Sequence, residues 1–141
     1  MLKINIKRLD AKATLPTRTY PTDAGLDLYA FATTKYKADD LAILIPTKIA
    51  VEVPPGYFGF VRDRSSMSKR ALKVSAGIVD SGYTGDVSVL FLNLSKSDGV
   101  IEAGTKIAQL LLIPIATPEV VEVTELEKTV RGDRGWGHSG K

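Results

Sequence analysis

Leucine and isoleucine alternate with polar residues from the start of the chain: Leu2, Ile4 and Ile6 against Lys3, Asn5 and Lys7. A period of two puts every second side chain on one face, so this stretch is expected as a strand with one buried face. The rhythm returns at Ile49, Val51 and Val53, halted by the turn signal Pro54-Pro55-Gly56. Short apolar runs at 41–45 (stopped by Pro46), 57–61, 87–92, 107–113 and 120–123 read as further strands, most of them separated by glycine or proline. Only residues 65–72 look helical, with Met67, Arg70 and Ala71 three to four apart and Ser65 or Ser66 as the expected N-cap. One short helix among many short strands predicts an all-β sandwich or barrel.

The pattern stops near the C-terminus. Residues 131–141 hold four of the twelve glycines, the single tryptophan, the single histidine, two arginines and a lysine, with no apolar periodicity. Such a segment has nothing to bury, which predicts a β domain over residues 1–128 and a flexible arm over 129–141. The arm suits a plain disordered terminus. It also carries what a polyphosphate binds: guanidinium forks, N–H groups freed by glycine, a hydroxyl and one flat ring for a base.

A length of 141 residues, 44% apolar and 25% charged, fits one soluble domain. No apolar run approaches the roughly 20 residues needed to span a bilayer, and the alternating N-terminus lacks the continuous apolar block of a secretory signal. No membrane and a cytoplasmic location are therefore expected. The absence of cysteine excludes disulfides and thiolate chemistry. The net charge of +3 lies in small clusters, Arg62-Asp-Arg64, Lys69-Arg70 and the tail. That suits a small polyanion such as a nucleoside triphosphate, or simply a solvated basic surface, better than a broad nucleic-acid face.

Four internal segments carry candidate chemistry. Gly77-Ile-Val-Asp-Ser-Gly-Tyr-Thr-Gly85 reads as a β-hairpin whose glycines let a flat ligand reach the backbone, with Asp80 placed as general base and Tyr83 against a sugar. A plain hairpin, with Asp80 in an Asx-turn and Tyr83 in the core, fits the same residues. Arg64-Ser-Ser-Met-Ser68 opens the expected helix and suits either an anion or an ordinary cap. Asp23-Ala-Gly-Leu-Asp-Leu-Tyr29 offers two carboxylates, with Asp27 expected to face away from Leu26 and Leu28; one or two carboxylates suffice for a phosphate-bound Mg²⁺. Gln109 lies inside an apolar strand, where its amide needs structural or ligand partners.

In combination and order, Ala24-Gly-Leu-Asp-Leu, Arg64-Ser-Ser, the 77–85 segment, Gly104-Thr-Lys-Ile-Ala-Gln109 and Arg131-Gly-Asp-Arg-Gly-Trp-Gly-His-Ser-Gly140 resemble the five motifs of the dUTP pyrophosphatase (dUTPase) family. The resemblance implies a jelly-roll β subunit (the dUTPase-like β-clip), a homotrimer with each active site shared among chains, and Mg²⁺-assisted hydrolysis of dUTP to dUMP and pyrophosphate. It implies removal of dUTP before it reaches DNA and supply of dUMP for thymidylate synthesis. By position, Asp80 would activate the water that attacks the α-phosphorus, and Tyr83 would pack under the deoxyribose. Backbone from Gly77 to Val79 and Ser81 to Tyr83 would read uracil. Asp27 would hold Mg²⁺ through its waters, while Arg64, Ser65, Ser66 and Gln109 would hold the phosphates. Arg131 and Ser139 would reach the γ-phosphate, the His138 ring could donate to phosphate, and Trp136 would stack on uracil. This chain departs from the family pattern at three places: Trp136 for phenylalanine, His138-Ser139 for Ser-Thr, and Val79 for isoleucine. A dCTP deaminase on the same scaffold, a catalytically silent regulatory module and a nucleic-acid-binding β protein are the competing readings.

Overall fold

The computed structural model describes residues 3–136, and almost all of its regular structure is β. Eleven strands run β1 (Asn5–Arg8), β2 (Leu26–Tyr29), β3 (Thr34–Tyr36), β4 (Ala42–Ile45), β5 (Ile49–Glu52), β6 (Tyr57–Asp63), β7 (Leu72–Ser75), β8 (Ile78–Val79), β9 (Val89–Asn93), β10 (Gly99–Ile101) and β11 (Lys106–Pro114). The single helix, α1 (Ser65–Ser68), lies between β6 and β7. The largest sheet has the order β2-β11-β6-β8, the next β4-β9-β7, and two ribbons pair β1 with β5 and β3 with β10. All pairings are antiparallel and most join strands distant in sequence, as a jelly roll requires.

Alternation explains the core. On β4, Ile43 and Ile45 are buried while Ala42 and Leu44 face out, and on β9 Val89, Phe91 and Asn93 point inward. Phe91, Leu28, Ile45, Leu72, Ile107 and Leu110 are fully buried where the sheets face each other. Removing one such side chain, Phe91→Ala, would cost about 3–5 kcal/mol through lost transfer energy and the cavity left behind.

Four expectations are corrected. The helix spans Ser65–Ser68 rather than 65–72, because the chain turns at Lys69–Ala71, Ala71 adopts a φ of 54°, and Leu72 begins β7. Its N-cap is Arg64, with no side-chain capping bond, rather than Ser65 or Ser66. Residues 120–123 form no strand: Val120, Val121 and Val123 are exposed and pair with no strand among the described residues. The 77–85 segment is not a two-stranded hairpin. Its β8 pairs instead with β6, through Gly59–Val79 and Phe60–Ile78. Beyond the turn the chain is drawn towards β5, where the Val87 N–H donates to the Ile49 carbonyl at 2.9 Å. The N-terminal strand forms as expected from Asn5, with Ile4 and Ile6 half-buried; Leu2 lies outside the described residues.

Candidate functional site

Five of the expected site residues line two clefts at opposite edges of the largest sheet: Asp27, Arg64 and Gln109 in one, Val79 and Tyr83 in the other. The first, about 370 Å³, is lined among others by Tyr20, Asp23, Gly25, Asp27, Arg64 and Gln109. Edge strand β2 brings Asp27, central strand β11 brings Gln109 opposite it, and the end of β6 delivers Arg64. Asp27 is buried and carries two cations: Arg64 pairs with Oδ1, and the Lys106 ammonium lies 2.8 Å from Oδ2. This places it away from the fully buried Leu28, as alternation predicts, yet not in open solvent. The Asp27 carboxylate, by accepting from the ammonium, holds Lys106 above the ordinary lysine value of 10.5. The amine therefore stays charged throughout the neutral range.

Arg64 Nε is buried and makes no hydrogen bond among the described residues, so the guanidinium keeps donor capacity for an anion. The N–H groups of Ser65 and Ser66, first in α1, likewise have no partner among those residues, and both residues are exposed. Gln109 Nε2 donates to the Asp63 carbonyl at 3.0 Å, which gives the buried amide a structural partner. Its Oε1 lies so close to Gly25 that a Cβ there would sit 2.5 Å from it. Gly25 is thus required by close approach of the amide rather than by backbone conformation.

The second cleft, about 400 Å³, is lined by Val61, Ile78, Val79, Tyr83, Asp86, Val87 and neighbouring residues. Gly77 accepts the Val61 N–H at 2.7 Å, and a Cβ at 77 would collide with the Val61 carbonyl. Val79 is buried in the core, and past it Asp80 opens a tight turn in which its carbonyl accepts the Tyr83 N–H at 3.0 Å. The Gly77 carbonyl and the Tyr83 N–H are therefore already committed. The Asp80 side chain is exposed and makes no hydrogen bond or ion pair among the described residues, so it forms no Asx-turn. Tyr83 is 46% exposed rather than core, with its hydroxyl donating to the Asp86 carbonyl at 2.9 Å. Both features of the plain-hairpin reading are absent. The half-exposed Tyr83 ring lines the cleft, and the free Asp80 carboxylate stands in the turn that follows Val79.

The described part of the arm, residues 129–136, lines neither cleft. Arg131 and Arg134 each donate Nε–H to the other's carbonyl, at 3.1 and 2.8 Å, and the Gly132 N–H donates to Thr129 Oγ1. Trp136 is fully exposed. The roles expected for His138 and Ser139 fall outside the described residues.

Two contributors escaped sequence reasoning. Lys106 and Gln109 are three apart, which strict alternation would place on opposite faces, but a register shift between Lys106 and Ala108 lets both serve the Asp27 side. Asp86 lies just past the 77–85 segment, and its carboxylate bonds to Lys48 and Thr47 while its carbonyl holds Tyr83. The signal for the first was the Gly104-Thr-Lys break at the head of an apolar strand; the second had none.

Among the described residues no three His, Cys, Asp or Glu side chains come together. The polar cleft, with one buried carboxylate among cations, does not resemble an all-protein metal cage. It does fit a Mg²⁺ that keeps its waters and arrives on phosphates, which needs only one or two carboxylates. No described helix is long and apolar enough to cross a membrane.

A family model described as dUTPase matches residues 11–140. The chain is similar to the deoxyuridine 5'-triphosphate nucleotidohydrolase of Arabidopsis thaliana, 42% identical over 136 residues, covering 96% of this chain and 81% of the relative. It is 41% identical to the probable enzyme of the same name from Schizosaccharomyces pombe, covering 96% of each. Among solved structures it resembles the dUTPase of Staphylococcus bacteriophage 80alpha with dUPNHPP, with a TM-score of 0.90, 29% identity and full coverage of both chains. It also resembles a dUTPase of the S. aureus phage phi11 described for its structural Mg(II) ion, with a TM-score of 0.80 and 27% identity over 90% of this chain and all of that one. With its jelly-roll fold and a match over nearly its whole length, the chain belongs to the dUTPase family, the dUTP diphosphatases.

Proposed function

We propose that the chain hydrolyses dUTP to dUMP and pyrophosphate in a homotrimer whose active sites join the two clefts of different copies. One observation carries the reading: Asp27 and Asp80 stand on or beside the two edge strands of a single sheet, β2 and β8, with β11 and β6 between. Three strand spacings are about 14 Å. A general base works within hydrogen-bond reach of its water, directly or through one more, so the two carboxylates of one chain cannot serve the same phosphorus. A second copy that brings its Asp80 turn to the first copy's Asp27 cleft resolves this. The exposed Leu44, Leu92 and Leu94 provide apolar surface for such an assembly.

In the assembled site the residues have separate tasks. Arg64 and the free N–H groups of Ser65 and Ser66 hold phosphate oxygens, and Gln109, fixed by Asp63, bounds the same cleft. Mg²⁺, held through its waters near Asp27, would neutralise phosphate charge. Asp80 takes the proton of a water as that water attacks the α-phosphorus, the bond to the bridging oxygen breaks, and pyrophosphate leaves. Most of the acceleration comes from positioning and charge.

The second cleft selects the nucleoside. Uncommitted backbone groups of residues 78–82 would pair with uracil O4 and N3–H, leaving buried groups unpaired against cytosine. Tyr83 and the apolar walls leave no room for a thymine methyl or a ribose 2′-hydroxyl. The arm of a third chain closes over the site, Trp136 stacking on the base and Arg131 and Ser139 reaching the terminal phosphate. Ordering about ten residues costs roughly 1–2 kcal/mol each, so closure awaits the triphosphate. In a cytoplasmic setting this activity keeps uracil out of DNA and supplies dUMP for thymidylate synthesis. Pyrophosphate release should be measured with Mg²⁺ and each of dUTP, dCTP, dTTP and UTP. Release from dUTP alone is expected; ammonia from dCTP would indicate the deaminase instead.

A further inference from the structure

We infer that Asp86 and Gly85 are positioning residues that set the pose of the Tyr83 ring and so determine discrimination against ribonucleotides. The inference rests on the reading of Tyr83 as the residue under the sugar. Tyr83 is held at two points. Its hydroxyl donates to the Asp86 carbonyl at 2.9 Å, and the absent side chain of Gly85 leaves the space its ring occupies. A Cβ at 85 would lie 2.5 Å from the Tyr83 hydroxyl oxygen and 2.7 Å from Cζ. Gly85 is not among the residues with positive φ, so the ring, not the backbone, demands glycine there.

The Asp86 carbonyl is a fixed acceptor because its own side chain is anchored. Oδ1 accepts the Lys48 N–H at 3.0 Å and the Thr47 hydroxyl at 3.3 Å, and Oδ2 lies 3.6 Å from the Lys48 ammonium. Lys48 presents that N–H from a left-handed conformation, φ 56°, and the buried Thr47 hydroxyl also bonds to the Val87 carbonyl at 2.9 Å. The anchor reaches from the β4–β5 connection to the residue that holds the ring. A ring committed at its hydroxyl cannot swing aside, and a ring that cannot swing aside excludes an extra sugar hydroxyl by contact.

The decisive variant is Gly85→Ala. The added methyl meets the far end of a side chain rather than backbone, so the protein folds and the ring moves. The full-length chain, Gly85→Ala, Asp86→Ala and Asp86→Asn are compared for kcat/KM with dUTP and with UTP, alongside thermal melting. Gly85→Ala and Asp86→Ala should each lower the dUTP-over-UTP preference by roughly tenfold, mainly by admitting UTP. Asp86→Asn, whose amide oxygen still accepts from Lys48 and Thr47, should restore most of it. A purely structural role would lower melting and both activities together, leaving the ratio unchanged, and would overturn the inference. Should Asp86→Ala not fold, Gly85→Ala decides alone: a preference within twofold of the parent overturns the inference. A parent chain that turns over UTP as well as dUTP overturns the Tyr83 reading with it, so the two failures are distinguishable.

Discussion

The two clefts are built in opposite ways. In the first, charge is already paired: Asp27 is buried between Arg64 and Lys106, and Gln109 is tied to Asp63 and pressed against Gly25. In the second, walls that include Leu44, Val61 and Val79 adjoin a half-exposed aromatic ring, and the turn after Val79 carries Asp80, an exposed carboxylate with no partner among the described residues. The contrast is a division of labour. Phosphates need preorganised cations, which repel one another and are stabilised by a carboxylate when no ligand is present. Under the proposed function the base and the nucleoside wall need open access, and an unpartnered Asp80 would keep its lone pairs for water.

That division can be broken most strongly at Asp80. Asp80→Asn removes the proposed proton acceptor while keeping shape, so turnover should fall by about 10²–10⁴-fold with dUTP binding little changed, as read by single-turnover kinetics and titration calorimetry. An equal fall in affinity would make Asp80 a binding residue. Next in size, a chain lacking residues 131–141 should stay folded and oligomeric while kcat falls roughly a hundredfold, because closure positions the triphosphate. Full activity of that truncation in a pyrophosphate assay would eliminate the arm's role.

Lys106→Met sharpens the other side. The ammonium supports Asp27 and does not itself react, so KM for dUTP should rise severalfold with little change in kcat. Because the folded pKa of Lys106 is raised, its contribution is fully present below 10.5 and is lost only as pH rises through the higher folded value. The effect should therefore be the same at pH 7 and pH 9 in steady-state assays. The smallest effect lies outside both clefts. The N–H of Ala38 and the ammonium of Lys37 hold Asp98 below its ordinary value of 3.8. The stability this gives is present above 3.8 and lost as pH falls through the lower folded value, so Asp98→Asn should lower melting slightly at pH 7 and by less as the pH is taken below 3.8.

Legibility followed the reach of the forces involved. Alternation and short apolar runs are local signals, so β1 and β5 could be read from the first and β4, β6, β9 and β11 from the second, and glycine and serine spacing exposed the motif residues of both clefts. What failed depended on partners far away in sequence. The helix was overextended because the left-handed turn at Ala71 leaves no apolar signature. The 77–85 hairpin misled because β6, not the adjacent segment, captures β8. Residues 120–123 carry strand propensity without a strand among the described residues to satisfy it. Lys106 was missed because a bulge, invisible in sequence, changed its face.

The claim that one copy's Asp80 serves another copy's Arg64 and Asp27 is tested most directly by mixing inactive chains. Asp80→Asn and Arg64→Ala proteins, each inactive alone, are unfolded together, refolded at equal ratio and assayed for pyrophosphate release from dUTP. In a cyclic trimer with sites between neighbours, one site in each mixed ring combines an intact Asp80 with an intact Arg64, so roughly a quarter of parental activity should return. No recovery from rings shown by native mass spectrometry to be mixed would contradict the account, and would return both carboxylates to a single chain.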